Sequence, residues 1–377
     1  MPTDYAMLST YPPTQCGLAT FSAALLTHLP VPGDNVGVVR VLDEPAPQNS
    51  PLIAGHLING SAASAADAIG IINGFDVAIV QHEYGIYGGP DGQQVIPLLD
   101  ALDVPSIVVL HTVLADPTRR QRMVLHEVIA AADMVVTMTQ TGRSRVLESY
   151  GTSPGKVSVV PHGAAGTLAA RSASRRQAGG PRVLTWGLLG PGKGIEHAIE
   201  AVALLRGSGV KLDYTVAGQT HPRVLARTGE AYRQSLQELA AARGVGDCVH
   251  FDDRYLPVSA LVDLVGTADV VLLPYDSLEQ VTSGVLIEAI TAAKPVISTR
   301  FPHAVELLSG GAGLLVERKD PADIAAALAR ALTEPGLAGR MSCHAADMAP
   351  RLLWPAVAAS YRGLAAALTR TPAGAAI

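Results

Sequence analysis

Residues 274–289 read PYDSLEQVTSGVLIEA, and this stretch with its flanks decides the fold. Immediately before it, residues 269–273 form a short apolar run that contains two valines, which predicts a buried parallel strand. The second half of the 274–289 stretch begins a largely apolar run that extends over 285–293. This run predicts a helix packed on that strand. The pattern is therefore strand, polar loop and helix, the repeating unit of a parallel α/β sheet.

The N-terminus of this predicted helix has the chemistry of a phosphate site. Thr282, Ser283 and Gly284 place two capping hydroxyls and a glycine there. A helix N-terminus presents unpaired N–H groups at the positive end of the helix dipole. Glu288 lies about one turn further along. Because a bound phosphate would repel a carboxylate, we expect Glu288 to accept hydrogen bonds from hydroxyl groups, and the stretch predicts a nucleotide-sugar site.

Composition narrows the class of protein. A chain of 377 residues suits two domains. Its net charge of −5, with few aromatic residues and no long basic stripe, argues against nucleic-acid binding. The sequence lacks an apolar run of about 18 residues, and its first residues lack the pattern of a secretory signal. Three widely separated cysteines, Cys16, Cys248 and Cys343, fit a reducing cytoplasm without disulfides.

The strand–helix unit recurs along the whole chain. In the first half, strands are predicted at 6–10, 36–42, 76–81, 105–110, 134–138 and 156–160, and helices at 18–29, 62–72, 93–102, 118–132 and 142–149. In the second half, strands are predicted at 182–186, 212–217, 249–252, 269–273, 295–299 and 313–316, and helices at 194–205, 230–243, 258–265, 285–293, 303–308 and 321–331. This alternation predicts crossover connections and parallel sheets.

The expected fold class is α/β, with two doubly wound, Rossmann-like domains that face a cleft. We place the first domain at 1–168, a small, basic, glycine-rich linker at 169–181 and the second domain at 182–350. The remainder, 351–377, holds a last helix at 354–368 that we expect to pack back across the domains. Ligands of such sheets bind beyond the carboxyl ends of the strands.

A second phosphate-binding element is predicted after the strand at 182–186. The loop that follows contains several glycines, among them Gly190, and a single lysine, Lys193, before a helix. Backbone N–H groups and one cation suit a diphosphate. A surface lysine on a turn is the alternative. We favour the diphosphate because this loop and the 282–284 helix terminus are expected at the same sheet edge.

Titratable side chains follow two strands of the first domain. His82, Glu83 and Tyr84 come after one strand, and His111 comes after the next. They are placed for hydrogen bonding or acid–base work, with Glu83 and Tyr84 as a candidate acceptor wall. A metal site is a rival interpretation, but the helical H-x-x-x-H spacing is missing. A buried structural histidine is the other alternative.

Four motifs resemble the retaining, nucleotide-sugar-dependent glycosyltransferases of family 4, which have the GT-B fold. Residues 187–194 are similar to the loop G-R-L-x-x-x-K-G, and residues 159–163 to the hinge V-V-P-N-G. Residues 280–288 occupy the E-x7-E element, and residues 294–299 are similar to the strand G-x-P-V-V-A-T. Gly17, in a loop without the G-x-G-x-x-G of nicotinamide or flavin folds, matches the N-terminal glycine loop, and His111 matches the strand-end histidine.

The resemblance implies roles for particular residues. The donor diphosphate would be bound by Lys193 together with Gly190, Thr282, Ser283, Gly284 and, from the first domain, Gly17. Glu288 would accept hydrogen bonds from the ribose hydroxyls. The main chain of Arg254 and Tyr255 would flank the base. His111 would lie beside the transferred sugar, so the expected catalytic set is His111, Lys193, Glu83 and Gln280, with His82, Glu83 and Tyr84 on the acceptor side.

The same resemblance implies the substrates. The donor would be a GDP- or UDP-hexose, with GDP-mannose favoured on the resemblance alone, and the enzyme a mannosyltransferase or a glucosyltransferase. The acceptor would be a carbohydrate or a lipid-linked sugar. No cofactor and no metal are expected.

Two positions depart from the family pattern. Gln280 replaces the first glutamate of E-x7-E, which removes a charge that could help a developing oxocarbenium ion by about 2–3 kcal/mol. Leu188 replaces the arginine of the loop, and Arg254 or Arg300 are candidates to replace that cation.

Three questions stay open at this point. A nucleotide-sugar epimerase of the same fold and a non-catalytic nucleotide-sugar-binding protein are alternative functions. Weak peripheral contact with the inner membrane face is conceivable through Arg119, Arg120 and Arg122 at the start of a helix. A solvated helix face is the favoured interpretation of those three arginines.

Overall fold

The computed structural model describes residues 2–48, 50–166, 180–277 and 279–370. The chain forms two compact units. Unit 1 comprises Met1–Gly163 and Trp354–Ile377, and unit 2 comprises Ala164–Leu353. Unit 2 thus lies between two segments of unit 1 in the sequence, whereas the sequence placed the boundaries at 168 and 351. The expected linker at 169–181 lies outside the described residues except for its last two positions.

Unit 1 is built on one parallel sheet of seven strands. Its strands are β1 (Asp4–Ser9), β2 (Asn35–Leu42), β3 (Ile53–Ile58), β4 (Val77–His82), β5 (Ser106–Leu110), β6 (Met134–Thr137) and β7 (Val157–Val159). They lie in the order β3-β2-β1-β4-β5-β6-β7. Its helices, numbered along the chain, are α1 (Gly17–His28), α2 (Ala62–Ile72), α3 (Val95–Asp100), α4 (Arg119–Ala131), α5 (Gln140–Tyr150) and, after unit 2, α14 (Trp354–Arg370).

Unit 2 repeats the plan with six parallel strands. They are β8 (Arg182–Trp186), β9 (Asp213–Ala217), β10 (Val249–Asp252), β11 (Val270–Leu273), β12 (Val296–Thr299) and β13 (Gly313–Val316), in the order β10-β9-β8-β11-β12-β13. The helices are α6 (Ile195–Gly207), α7 (Pro222–Thr228), α8 (Ala231–Ala242), α9 (Val258–Thr267), α10 (Gly284–Thr291), α11 (Pro302–Leu308), α12 (Pro321–Thr333) and α13 (Leu337–Leu352). The predicted α/β class with two Rossmann-like parallel sheets is confirmed.

Three elements were not predicted: β3, α7 and α13. Strand β3 lies at the sheet edge, where Gly55 and His56 interrupt the apolar pattern and several positions stay partly exposed. Helix α13 contains Gly339 near its start and Pro350 near its end, and both residues disfavour helix in a sequence-based prediction. Helix α3 is also shorter than the predicted 93–102.

Apolar side chains cover both faces of each sheet. In unit 1, Met7 and Ile79 pack with Phe21 of α1 on one face, while Leu8 and Val80 join the core on the other face. Successive strand residues therefore point into different cores, which explains why these strands are apolar at consecutive positions rather than at alternate ones.

The last helix, α14, packs on α1. The Trp354 ring lies edge-on to Phe21, with 5.1 Å between the ring centroids. Arg362 Nη1 donates to the carbonyl oxygens of His28 and Leu29, at 2.9 and 3.0 Å, and so satisfies the C-terminus of α1. The sequence expected this helix to pack back across the domains; the structure assigns it to unit 1.

No helix in the described ranges combines the length and the apolar character that a bilayer crossing requires.

We expect Gly163→Ala to destabilise unit 1 by about 1–3 kcal/mol, because overpacking of a filled site has that cost. A Cβ atom at Gly163 would lie 2.3 Å from two carbon atoms of the Trp354 indole. Urea unfolding measures the effect. The control is Gly339→Ala on α13, where a Cβ atom meets nothing within 4 Å, and alanine should stabilise the helix by roughly 0.5–1 kcal/mol. Equal unfolding midpoints for the two variants would contradict the expectation.

Candidate functional site

Two loops of unit 2 meet at the point where the strand order reverses. One follows β8 and the other follows β11, and these strands are neighbours in the sheet. The N–H group of Asp276 donates to the carbonyl oxygen of Gly192 at 2.9 Å. A Cβ atom at Gly194 would lie 1.9 Å from the carbonyl oxygen of Pro274, so only glycine fits there. Reversal points of this kind form the ligand crevice of doubly wound sheets.

The ammonium group of Lys193 lies over an aromatic ring in this crevice. Its Nζ atom is 4.2 Å from the centroid of the Tyr275 ring, and that ring stacks on Phe301 with 5.3 Å between centroids. Among the described residues Lys193 forms no ion pair. A cation–π contact holds the ammonium in place without neutralising its charge, so Lys193 can pair with an anion.

The N-terminus of α10 lies in the second loop and is held by two hydrogen bonds. Ser283 Oγ accepts from the N–H group of Leu286 at 3.2 Å, the N-cap contact that the sequence predicted. The N–H group of Ser283 donates to Nδ1 of the buried His303 at 2.8 Å. The hydroxyl of Thr282 is buried and has no partner among the described residues. Burying a hydroxyl without a partner is costly.

Glu288 faces the end of β8. Its Oε2 atom accepts a hydrogen bond from Trp186 Nε1 at 2.9 Å. Burial raises the pKa of Glu288, and the indole N–H lowers that pKa in part. The indole engages only the Oε2 atom.

The residues involved in the two departures from the family pattern make contacts within unit 2. Gln280 is half-buried, and its carbonyl oxygen accepts from the N–H group of His303 at 3.5 Å. Arg254 donates from Nε and Nη2 to Asp252, at 2.9 and 2.6 Å, and Arg300 Nε pairs with Glu317 at 2.8 Å. Both arginines that could have replaced the cation missing at Leu188 therefore already pair with carboxylates. Tyr255, expected near the base, is exposed.

His111 in unit 1 is a neutral hydrogen-bonding group. Its Nε2 atom lies 2.6 Å from Oε1 of the buried Gln81. Burial, with smaller contributions from the nearby His162 and His82, lowers the pKa of His111 to about 3. The ring is thus neutral near pH 7, and Nε2 carries its single N–H, which is donated to Gln81. Hydrogen bonding, rather than proton transfer, is the chemistry that this environment supports.

Of the other predicted residues of unit 1, Glu83 and Tyr84 form hydrogen bonds, whereas His82 has no partner among the described residues. Glu83 is half-buried, and its carboxylate accepts from the hydroxyl of Thr112 at 2.5 Å and from the N–H group of Tyr84 at 3.1 Å. His82 is instead fully buried, with neither ring nitrogen paired to a described residue. Burial lowers the pKa of His82 to about 4. Tyr84 bonds through its hydroxyl to the carbonyl oxygen of Gln121 at 3.4 Å.

Gly17 begins α1, directly after the N-cap residue Cys16, whose sulfur accepts from the N–H group of Ala19. A Cβ atom at Gly17 would meet nothing within 4 Å, so the helix terminus is open.

Three residues of the unit 2 site escaped sequence reasoning: Trp186, Tyr275 and His303. Each is apolar or aromatic in a run that reads as core, and each is 5% exposed or less. Trp186 is the last residue of β8 and Tyr275 lies two residues after β11, and such positions line the ligand edge of a parallel sheet. His303 lies four residues after β12, inside α11, and gave no such signal.

Comparison with known proteins assigns this architecture to a family. The family model described as glycosyl transferases group 1 matches residues 168–348. The chain is 32% identical over 238 residues to a D-inositol 3-phosphate glycosyltransferase of Acidothermus cellulolyticus, which covers 60% of this chain and 52% of that protein. It is 30% identical over 293 residues to the protein of that name from Corynebacterium jeikeium, covering 71% of this chain and 68% of that protein. The chain thus spans about half the length of the first relative and two thirds of the second.

Solved structures share the fold. The crystal structure of Anabaena HepE in complex with UDP superposes with a TM-score of 0.75 at 15% identity, covering 98% of this chain and 100% of that one. Sucrose-phosphate synthase from Thermosynechococcus elongatus gives a TM-score of 0.73 at 19% identity, covering 97% and 100%. At these identities the likeness concerns the fold alone.

The free energy of unfolding should fall as the pH drops from about 6.5 towards 4. In that window the unfolded chain binds protons on histidines that the folded protein keeps unprotonated, because burial lowers the pKa of both His82 and His162 to about 4. His82→Leu removes one such group. The loss of unfolding free energy between pH 6.5 and pH 4 should therefore be smaller by roughly 3 kcal/mol in this variant.

The matched control is His126→Leu, which replaces an exposed histidine on α4. Urea unfolding at pH 7, 5.5 and 4.5 compares the variants. A slope that His126→Leu changes more than His82→Leu does would refute the assignment.

Proposed function

We propose that this chain, which belongs to the glycosyl transferases group 1 family, moves a hexose from a nucleotide diphosphate sugar to an acceptor hydroxyl. The main support for the proposal is the position of Lys193 in unit 2. The Lys193 ammonium has no ion pair among the described residues, and it lies on Tyr275, in the loop that leads to the N-terminus of α10. One cation and a set of helix N–H groups at a strand-order reversal suit a diphosphate.

Each part of the donor has a candidate partner. Lys193, the backbone around Gly190, the Thr282 hydroxyl and the N–H groups of Gly284 and Val285 would bind the diphosphate. The Glu288 Oε1 atom would accept from the ribose hydroxyls, since Trp186 engages only Oε2. The main chain at 254–255 would flank the base.

The proposed chemistry retains the configuration at the anomeric carbon. The bond from this carbon to the diphosphate oxygen breaks, and the electron pair leaves with the diphosphate. The acceptor oxygen bonds to the carbon on the same face, and its proton passes to the departing diphosphate oxygen. Lys193 and the α10 terminus stabilise the charge that develops on the leaving group. His111 and Glu83 would bind sugar hydroxyls, and no metal or cofactor takes part.

The first donors and acceptors to assay follow from the comparisons. The HepE crystal structure is a complex with UDP, so UDP-hexoses should be assayed beside the GDP-mannose that the family resemblance favoured. The curated relatives are named for D-inositol 3-phosphate, which makes inositol phosphate the first acceptor to test beside simple and lipid-linked sugars.

One observation favours a second candidate function, a nucleotide-sugar-binding protein without turnover. Leu188 and Gln280 lack the charges of the family pattern, and Arg254 and Arg300 are paired with carboxylates. Tight binding of a nucleotide without release of sugar from any donor would select that function.

We expect Lys193→Ala to weaken nucleotide binding and to lower kcat/KM by about 100-fold or more, because one anchoring cation of the leaving group contributes about 3 kcal/mol. Thermal shifts with UDP, GDP, ADP and their hexose conjugates measure binding, and product formation in EDTA measures turnover. Lys211→Ala, at an exposed lysine of the same unit, is the control and should leave both unchanged. If no nucleotide stabilises the parent protein, the proposed function is wrong.

Gln280→Glu restores the family's carboxylate and should raise kcat by about 10-fold or more while leaving nucleotide affinity within about 2-fold. A negative charge helps a developing oxocarbenium ion more than it helps the ground state. Gln237→Glu on the exposed part of α8 is the matched control. An unchanged or lower kcat with intact nucleotide binding would show that Gln280 has no such role.

A further inference from the structure

The side-chain amide of Gln81 lies between a sulfur atom and an imidazole ring inside unit 1. Gln81 is on β4, two positions after Ile79, so its side chain points to the face of the sheet that α1 covers. Its Nε2 atom donates to the sulfur of Met7 on β1 at 3.4 Å, and its Oε1 atom lies 2.6 Å from Nε2 of His111. Gln81 and Met7 are completely buried, so water does not compete for these contacts.

Met7 determines which way this amide points. A thioether sulfur has no hydrogen to donate and can only accept. The nitrogen end of the Gln81 amide therefore faces Met7, and the oxygen end faces His111. The reversed amide would place its carbonyl oxygen against the lone pairs of the sulfur, and a buried acceptor without a donor is costly. The amide thus has one favoured orientation.

This orientation decides where the His111 ring carries its hydrogen. The Oε1 atom of Gln81 can only accept, so Nε2 of His111 must donate. Burial holds the pKa of His111 at about 3, so the ring is neutral near pH 7 and has a single N–H. Nδ1 is therefore a lone-pair acceptor, and it bonds to no described residue. An edge contact with Phe21, with 5.0 Å between the ring centroids, also holds the ring in place.

A neutral imidazole in this tautomer distinguishes groups that donate from groups that only accept. A hydroxyl can donate to the lone pair of Nδ1, whereas a carboxylate, a carbonyl group or a fluorine atom has no hydrogen to donate. Sites that are built to hydrogen-bond a hydroxyl discriminate strongly against an analogue that lacks it, because the buried polar group is then left unpaired.

We propose that Gln81 is a positioning residue for the transfer reaction: held by Met7, it keeps the hydrogen of His111 on Nε2, so that Nδ1 accepts from a hydroxyl of the transferred sugar. This inference rests on the proposed function, in which His111 binds the sugar of the donor. It also restricts the class of donor. The sugar carries a hydroxyl at the position that faces His111, and sugars with a carboxylate or a carbonyl group at that position are rejected.

The tautomer is measured by long-range proton–nitrogen NMR, which separates a ring nitrogen that bears hydrogen from one that does not. His111→Ala identifies the signals of this ring. In the parent protein at pH 7 we expect hydrogen on Nε2. Gln81→Met removes the acceptor and keeps a long side chain. Because a buried N–H group without an acceptor is costly, the hydrogen should move to Nδ1 in this variant.

Gln81→Glu tests the same point with a second chemistry. The buried carboxylate should take up one proton, because an uncompensated charge is unfavourable there. Either the protonated carboxyl group then donates to Nε2 of His111, or Nε2 stays protonated opposite a carboxylate. In both arrangements Nδ1 bears hydrogen, so the NMR signature should resemble that of Gln81→Met.

Turnover is measured with analogues of the donor that the parent protein uses, in which fluorine replaces one sugar hydroxyl at a time. At one position of the sugar, the ratio of kcat/KM for the natural donor to kcat/KM for its fluoro analogue should be smaller in Gln81→Met than in the parent. We expect a difference of about 10-fold, the value of one hydrogen bond. Fluorine withdraws electrons from the reacting carbon equally in both proteins, so this effect cancels in the comparison.

Two further variants complete the series. Met7→Leu conserves the volume of the core and removes the sulfur, so the amide can adopt both orientations. The hydrogen of His111 should then divide between its two nitrogens, and the kcat/KM ratio should be intermediate. This variant keeps the test open if the changes at Gln81 prevent folding. Ser22→Ala is the control: it removes a buried hydrogen bond to Ser9 on the same face of the sheet and should change neither measurement.

Three outcomes would overturn the proposal. One is hydrogen on Nδ1 of His111 in the parent protein, and another is a hydrogen that stays on Nε2 in Gln81→Met. The third is a hydrogen that moves to Nδ1 while the kcat/KM ratio stays the same at every position of the sugar. If the parent protein releases sugar from no donor, the proposed function is wrong, and the NMR signals still show whether Gln81 and Met7 set the tautomer.

Discussion

The unit 2 site depends on one backbone contact between two loops. Because a Cβ atom at Gly194 would overlap the carbonyl oxygen of Pro274, the loop after β8 must lie directly against the loop after β11. The hydrogen bond from Asp276 to Gly192 closes the same contact. This contact brings Lys193 over the Tyr275 ring, and Tyr275 in turn rests on Phe301 at the start of α11. A single close approach therefore sets the position of the cation, of the aromatic ring beneath it and of the loop that leads into α10.

Much of this arrangement could be predicted from sequence because it depends on local patterns. Apolar runs of five residues, each followed by a polar loop and a helix, were enough for two parallel sheets, and glycines beside Lys193 were enough for a diphosphate loop. The contacts of Glu288 could not be predicted in that way, since its partner Trp186 is 102 positions away in the sequence. The same holds for His303, which fixes Ser283 across 20 residues. Strand β3 was missed because an edge strand needs little apolar surface, so its pattern is weak.

Burial shifts the pKa values of ionisable groups in opposite directions in the two units. Burial keeps the imidazoles of His82, His111 and His162 neutral, so the sheet edge of unit 1 presents hydrogen-bonding groups rather than titrating ones near neutral pH. Burial acts in the opposite direction on Glu288 in unit 2, where it raises the pKa of a carboxyl group and makes the Trp186 hydrogen bond important for holding the charge. Low polarity thus disfavours the charged form of the ionisable groups in both places.

The return of the chain to unit 1 at Trp354 also governs the order in which the protein can be made. Unit 2 is one continuous segment, so all of it has been synthesised before α14 leaves the ribosome. Until then the apolar side of α1 around Phe21 lacks Trp354 and Tyr361, two side chains that are almost fully buried in the finished protein. Nascent chains fold largely by domain as they emerge. For this protein the middle of the sequence can therefore reach its native state first, while the N-terminal segment waits for the C-terminal one with an exposed apolar surface that chaperones recognise.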